Sequence, residues 1–317
     1  MITVVSKQSL LTKPFIKWAG GKGQLLNEIS ARYPLNLGKE LCKYCEPFIG
    51  GGAVFFDIVS KHEFKEILIN DINFELVNVY RQIKENVDVL IEKLESLQEE
   101  YLSASSEKRS EMFYERRNEF NSLKTKNPVG HDANKAALLI FLNKTCFNGL
   151  YRVNSKGEFN VPAGSYKNPM ICDKKTLKED SKALQNTEIR CGDYKECIEF
   201  IDSSTFVYID PPYKPISKTA SFNSYSHDPF GDTEQIALGE FVKIANKKGA
   251  KIMLSNSDPK NVDPDDNFFD EIYEELHIER IQATRMINSV AKNRGAISEI
   301  LVTNYKIKSK IKNLNKF

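Results

Sequence analysis

The chain alternates short, mostly apolar blocks with longer amphipathic stretches, and many of the blocks end on an acidic residue or a glycine. Residues 204–209 are the clearest block, β-branched and aromatic almost throughout, which predicts a strand buried on both faces of a parallel sheet. Residues 41–45, 66–70, 188–191 and 251–254 predict further strands, and 278–284 and 299–305 a late pair. Between them, 24–31, 53–61 and 233–246 have helical spacing, and 74–123 reads as a charge-rich helical stretch. Asn127-Pro128-Val129-Gly130 interrupts that stretch, and 133–143 resumes as an apolar helix. Strands alternating with helices predict an open α/β sheet, interrupted by a mainly helical insertion. Residues 143–162 carry Asn-Gly and Lys-Gly turn signals and predict a loop and hairpin. Residues 214–232 have no regular period, and 255–258 read as a turn.

The strand ends carry the candidate chemistry. Residues 204–209 run into Asp210-Pro211-Pro212-Tyr213, so a carboxylate, a fixed proline carbonyl and an aromatic face share one short loop. That set suits a planar amine, whose two N–H groups need acceptors and whose face can stack. An Asp-Pro turn with a solvated tyrosine is the plain alternative. Residues 41–45 lead into Glu46-Pro47-Phe48-Ile49-Gly50-Gly51-Gly52, and the next strand ends at Asp71. Glycines that let a ligand approach the backbone, with an acid about 20 residues on, form a nucleoside-site pattern. The loop lacks G-x-G-x-x-G, and Gly20-Gly21-Lys22 lacks the phosphate-loop spacing. The F-x-G-x-G form suits S-adenosylmethionine instead.

Composition narrows this only a little. With 317 residues, 41% hydrophobic and 28% charged, the chain is ordinary for a globular protein. A net charge of +2 makes any polyanion surface a local patch. No apolar run is long enough for a membrane span and no signal pattern opens the chain, so an intracellular, cytoplasmic protein is expected. Cys42 and Cys45 form a C-x-x-C without a second ligand pair, so reduced thiols and no metal are expected. The lysine-rich tail from Lys306 reads as a solvated end.

Taken together in chain order, Lys17-Trp18-Ala19-Gly20-Gly21-Lys22, the glycine loop, Asp71-Ile72-Asn73, Asn148-Gly149-Leu150-Tyr151-Arg152, Gly157-Glu158-Phe159-Asn160-Val161-Pro162 and Asp210-Pro211-Pro212-Tyr213 resemble one family. It is the Dam-type, D12 class of DNA adenine-N6 methyltransferases, in the α arrangement. The resemblance covers nearly the whole chain. It implies a Rossmann-like methyltransferase sheet formed by residues 1–74 and 181–317, with a target-recognition domain inserted at 75–180. It implies that Trp18, Ala19, Gly20, Lys22, Phe48, Gly50, Gly52, Asp71, Asp193 and Asp210 contact S-adenosylmethionine, the product being S-adenosylhomocysteine. Asp210, Pro211, Pro212 and Tyr213 would be catalytic on a flipped adenine. Lys144, Phe147, Asn148, Tyr151, Arg152, Pro162, Lys292 and Arg294 would meet double-stranded DNA, Arg152 reading the outer guanine of GATC. Ser165 stands where some relatives carry a basic residue, which leaves the flanking contacts open. A monomer working near the bacterial nucleoid is expected, and a cognate restriction endonuclease is left open as a partner. The same amine-binding loop would serve another DNA site, cytosine N4, RNA or a glutamine amide.

Overall fold

A computed structural model describes residues 12–214, 230–284 and 296–307. Its frame is a seven-stranded sheet of β1 (Lys43–Glu46), β2 (Glu66–Asp71), β3 (Thr187–Cys191), β4 (Thr205–Ile209), β5 (Lys251–Ser257), β6 (His277–Thr284) and β7 (Ala296–Thr303), in the order β3-β2-β1-β4-β5-β7-β6. The first five strands pair in parallel, and β7 runs antiparallel between β5 and β6. This is a Rossmann-like arrangement, and its strand order reverses between β1 and β4.

Burial of both faces follows from the strand period of two. Tyr44, Ile67, Ile69, Phe206, Tyr208 and Met253 face one hydrophobic cluster, and their neighbours Cys45, Leu68, Val207, Ile209, Ile252 and Leu254 face a second. Helices α1 (Leu26–Ser30), α2 (Ala53–Lys61) and α3 (Phe74–Glu85) supply Ile29, Phe55, Phe56, Leu76 and Tyr80 to the first cluster. Helix α8 (Asp232–Lys247) supplies Leu238, Phe241 and Val242 to the second. The six cysteines are free thiols. None of the described helices is long and apolar enough to cross a membrane.

The helical stretch expected at 74–123 is three helices: α3, α4 (Val87–Ser103) and α5 (Ser106–Lys126). Asn86 leaves helical geometry at φ −135°, and the Ser105 hydroxyl accepts from the Lys108 N–H to start α5. Helix α6 (Ala133–Thr145), capped by the Asp132 carboxylate, is buried almost along its length and packs against α3, α4 and α5. Helix α7 (Lys174–Leu184), which the pattern did not suggest, returns the chain to β3 and packs on α3. Helix α9 (Phe268–Ile272) was likewise unforeseen. Residues 255–257 are strand, not turn, because β7 pairs with them through Ser255–Leu301 and Ser257–Glu299. The expected hairpin is a looser loop, held by isolated bridges between Val153 and Phe159 and between Cys146 and Ala163.

Candidate active site

Because β1, β2 and β4 are parallel neighbours, their carboxyl ends lie on one edge of the sheet. The loop after β1 is fastened there from both sides. The Ile49 N–H donates to the Asn70 carbonyl at 2.8 Å, and Asn70 Nδ2 donates to the carbonyls of Pro47 and Gly192 at 3.0 and 3.1 Å. The Asp71 carboxylate takes the Gly50 N–H at 3.0 Å and the Asn73 N–H at 2.9 Å. Burial pushes the Asp71 carboxyl above its usual range, while those two N–H groups pull the other way. Gly50 and Gly52 have φ of 48° and 73°, the left-handed region that favours glycine. A side chain at Gly50 would also meet the Trp18 ring at 3.1 Å.

Around this loop stand further candidates. Phe48 packs on Tyr194 and Phe230 with centroids 5.0 and 5.9 Å apart. Asp193 is exposed and caps the turn that follows β3 by accepting the Lys195 N–H. Ala19 and Gly20 are exposed on the N-terminal loop. Ile72, next to Asp71, is 75% exposed, an unusual place for a large aliphatic side chain at a strand end.

Asp210 lies directly after β4, across the crevice from the glycine loop. Its Oδ1 accepts from Ser255 Oγ at 3.0 Å and pairs with Lys22 Nζ at 2.7 Å. Ser255 Oγ in turn lies 3.0 Å from the Tyr208 hydroxyl. Burial raises the Asp210 carboxyl above its usual range, opposed first by Lys22 and then by Ser255. Pro211 is buried, and the Pro212 carbonyl accepts from Gln235 Nε2 at 3.0 Å. The other end of Gln235 accepts from Asn256 Nδ2 at 3.0 Å. The Tyr213 hydroxyl donates to Glu299 at 2.6 Å, which fixes its ring beside Asp210. Lys22, on the N-terminal loop, points its ammonium at this carboxylate.

The recognition segment begins where α6 ends. Asn143 accepts the Lys17 N–H at 3.0 Å and donates to the carbonyls of Lys17 and Gly149 at 2.8 and 2.9 Å, so one buried amide ties the two loops together. Phe147 is 53% exposed, and Asn148, Arg152 and Pro162 are exposed as well. Asn148 has φ 55°, and the Phe147 N–H donates to the Pro162 carbonyl at 2.9 Å. Arg152 Nε donates to Asn160 Oδ1 at 2.8 Å, which orients its guanidinium. Tyr151 is placed differently from expectation. It is 3% exposed, stacks on Trp18 at 5.2 Å and accepts from Lys124 at 3.2 Å, so its ring is packing rather than groove surface. Lys144 is half-buried, and burial lowers its ammonium pKa. Lys292 and Arg294 lie outside the described residues.

The sequence missed Asn70, Asn143, Gln235 and Ser255, whose partners are remote in the chain. Ile72 carried a usable signal, an aliphatic residue between two polar ones at a strand end. Among the described residues no group of three His, Cys, Asp or Glu side chains is placed to hold a metal ion.

Residues 18–287 match the D12 class of N6 adenine-specific DNA methyltransferases. The chain is 50% identical over 295 residues to the type II methyltransferase M.MjaIII of Methanocaldococcus jannaschii, covering 92% of this chain and 99% of that protein. It is 38% identical to the type II methyltransferase M1.LlaDCHI of Lactococcus lactis, covering 96% and 99%. It is 33% identical to the DNA adenine methylase of Haemophilus influenzae, covering 93% and 94%.

Proposed function

The chain belongs to the D12 class of N6 adenine-specific DNA methyltransferases, and we propose that it methylates a flipped adenine, in GATC, with S-adenosylmethionine as methyl donor. The observation that carries this reading is the pairing across one crevice. A glycine loop clamped by Asp71 faces an Asp210-Pro-Pro-Tyr seat, at the reversal of strand order.

The residues fit the donor. Each Asp71 oxygen accepts one backbone N–H and keeps a second lone pair, enough for ribose hydroxyls. Ile72 offers an exposed apolar face for the adenine ring, and Phe48 with Gly50 and Gly52 lets a ligand approach the backbone. Trp18 braces the loop from the other side. When bound, S-adenosylmethionine supplies an electrophilic methyl on a sulfonium and leaves as S-adenosylhomocysteine.

The adenine N6 amine is a poor nucleophile because its lone pair is delocalised into the ring, and inside a duplex it is out of reach. Asp210 and the Pro211 carbonyl accept its two N–H bonds, and Tyr213 stacks on the base, its hydroxyl held by Glu299. Acceptors fixed in advance stabilise the positive charge that develops on nitrogen, an effect worth about 10²–10³ in rate for one such group. Asp210 Oδ then holds the proton that the alkylated nitrogen sheds. Ser255 and Gln235 keep the loop in register for this step.

Phe147, Asn148, Arg152 and Pro162 form the DNA face, with Phe147 able to wedge between bases and Arg152 to read guanine. We assign residues 75–180 to recognition and the remainder to the catalytic sheet, in a cytoplasmic monomer. The names of two relatives as type II methyltransferases support a partner endonuclease that cuts the same site.

The test is expression in a host lacking adenine methylation, followed by genome-wide mapping of N6-methyladenine. Modification confined to GATC supports the whole reading. Another adenine site overturns the role given to Arg152. Soluble protein with no methylated adenine refutes the reading.

A further inference from the structure

Lys22 is 4% exposed and its ammonium has three partners. Asp210 Oδ1 lies at 2.7 Å, the Gly20 carbonyl at 2.6 Å, and the Tyr213 ring centroid at 4.6 Å. A carboxylate, a backbone carbonyl and an aromatic face are also the partners proposed above for the adenine amine. The tether is short. Lys22 starts a 3₁₀ turn just after the Trp18–Gly21 turn, which is closed by the Gly21 N–H on the Trp18 carbonyl at 3.2 Å. The seat for the amine is therefore coupled to the loop that carries Trp18.

The geometry points to Lys22 as the internal occupant of the target-amine seat: its ammonium holds Asp210 and covers Tyr213 until the adenine N6 amine displaces it. This rests on the reading of the Asp210 loop given above. Burial alone disfavours the ionised form of a carboxylate and so weakens it as an acceptor. Lys22 favours the ionised form, and at the same time competes with the base. The groups facing Asp210 are Lys22 from the N-terminal loop, Ser255 from β5, Tyr208 from β4, Glu46 at the end of β1 and Tyr213 on its own loop. Among them Lys22 is the one cation, and it heads the influences that lower the Asp210 carboxyl.

The sign follows directly. Without Lys22 the Asp210 carboxyl of the free enzyme rises further, so the acid limb of kcat/KM moves to higher pH. Above that limb, loss of the competitor increases occupancy of the seat by the base.

The experiment uses the full chain with Lys22→Met, Lys22→Gln and Lys22→Arg, each checked by thermal melting. Methylation of a duplex containing the mapped site is followed against pH, with KM for S-adenosylmethionine measured separately. A duplex carrying 2-aminopurine next to the target adenine reports the flipping of that adenine by fluorescence. The expected result is an upward move of the acid limb for Lys22→Met and Lys22→Gln but not for Lys22→Arg. At high pH the two neutral variants should also show a several-fold larger flipped population. Should Lys22→Met not fold, the Gln and Arg variants carry the comparison. An unmoved limb and unchanged fluorescence, with only KM for S-adenosylmethionine raised, would make Lys22 a cofactor contact and overturn the inference. A wild-type enzyme that methylates adenine confines that failure to Lys22. A wild type that does not removes the parent reading and this one with it.

Discussion

Replacing Gly52 by alanine tests how tightly the glycine loop is built. Gly52 precedes α2 with φ 73° and ψ 24°, and a Cβ there would lie 2.5 Å from the Tyr80 hydroxyl oxygen and 3.1 Å from the Phe56 ring. Holding alanine in the left-handed region costs about 1–2 kcal/mol. The Tyr80 hydroxyl cannot stay where it is, and it currently donates to the Gly50 carbonyl at 2.9 Å. Losing that buried hydrogen bond adds about 1–3 kcal/mol, so Gly52→Ala should destabilise the fold by about 2–5 kcal/mol. That is a large share of the roughly 5–15 kcal/mol typical of a folded protein. Urea unfolding measures it, and calorimetric binding of S-adenosylhomocysteine reports the loop. The mechanism demands a second result. Tyr80→Phe alone should cost about 1 kcal/mol through the lost hydrogen bond. In the Gly52→Ala background the same change removes the atom that clashes, so it should be neutral or stabilising. A coupling of about 1–2 kcal/mol is therefore expected from the double-mutant cycle. Additive effects of the two substitutions would refute the reasoning, since the destabilisation would then be backbone strain alone.

Three further outcomes are expected. Gln235→Leu leaves Asn256 Nδ2 buried without its acceptor and frees the Pro212 carbonyl, so stability should fall by about 1–3 kcal/mol and single-turnover methylation by about 10–100-fold. Loss of stability with turnover intact would separate this amide from the catalytic loop. Asp210→Ala should lower turnover by at least about 10³-fold while the protein still melts cooperatively, and substantial residual turnover in the folded variant would sink its role. Asp180 on α7 is fully buried, one oxygen accepting the Lys13 N–H at 3.4 Å and the other without a partner, and burial with the nearby Asp173 charge pushes its carboxyl up to about 8. The folded state then binds a proton that the unfolded state releases between about pH 4 and 8, so this group's contribution makes stability fall as pH rises through that window. Asp180→Asn should flatten the slope in pH-dependent melts, and an unchanged slope would place its origin elsewhere.

Elements legible in the sequence were those set by neighbours in the chain. Alternation within 204–209 sends Phe206 and Tyr208 to one core cluster and Val207 and Ile209 to the other. The acids at positions 71 and 210 could be placed at the sheet's carboxyl edge because strands reveal their own ends. Burial of a polar residue has no such local signature. Asn143 earns its place through Lys17, 126 residues away, and Asn70 through Gly192, 122 residues away. Tyr151 misled for the same reason, since an aromatic residue in a turn-rich stretch reads as surface until Trp18 is found stacked on it.

The turn expected at 255–258 shows why errors of this kind gather at the site. Ser, Asn and Asp are turn residues wherever water is their alternative partner. Here β7 pairs with the backbone of Ser255, Asn256 and Ser257, and their side chains find Asp210, Gln235 and the Lys214 carbonyl. The strand stays regular while its composition turns polar, because its last residues serve the loop that ends the neighbouring strand. A parallel strand that reaches the reactive edge of its sheet must therefore lose its apolar pattern there, and its sequence will read as ending too soon. By that logic β5 extends past the limit that its composition suggests because the Asp210 loop needs polar partners from an adjacent, rigid element.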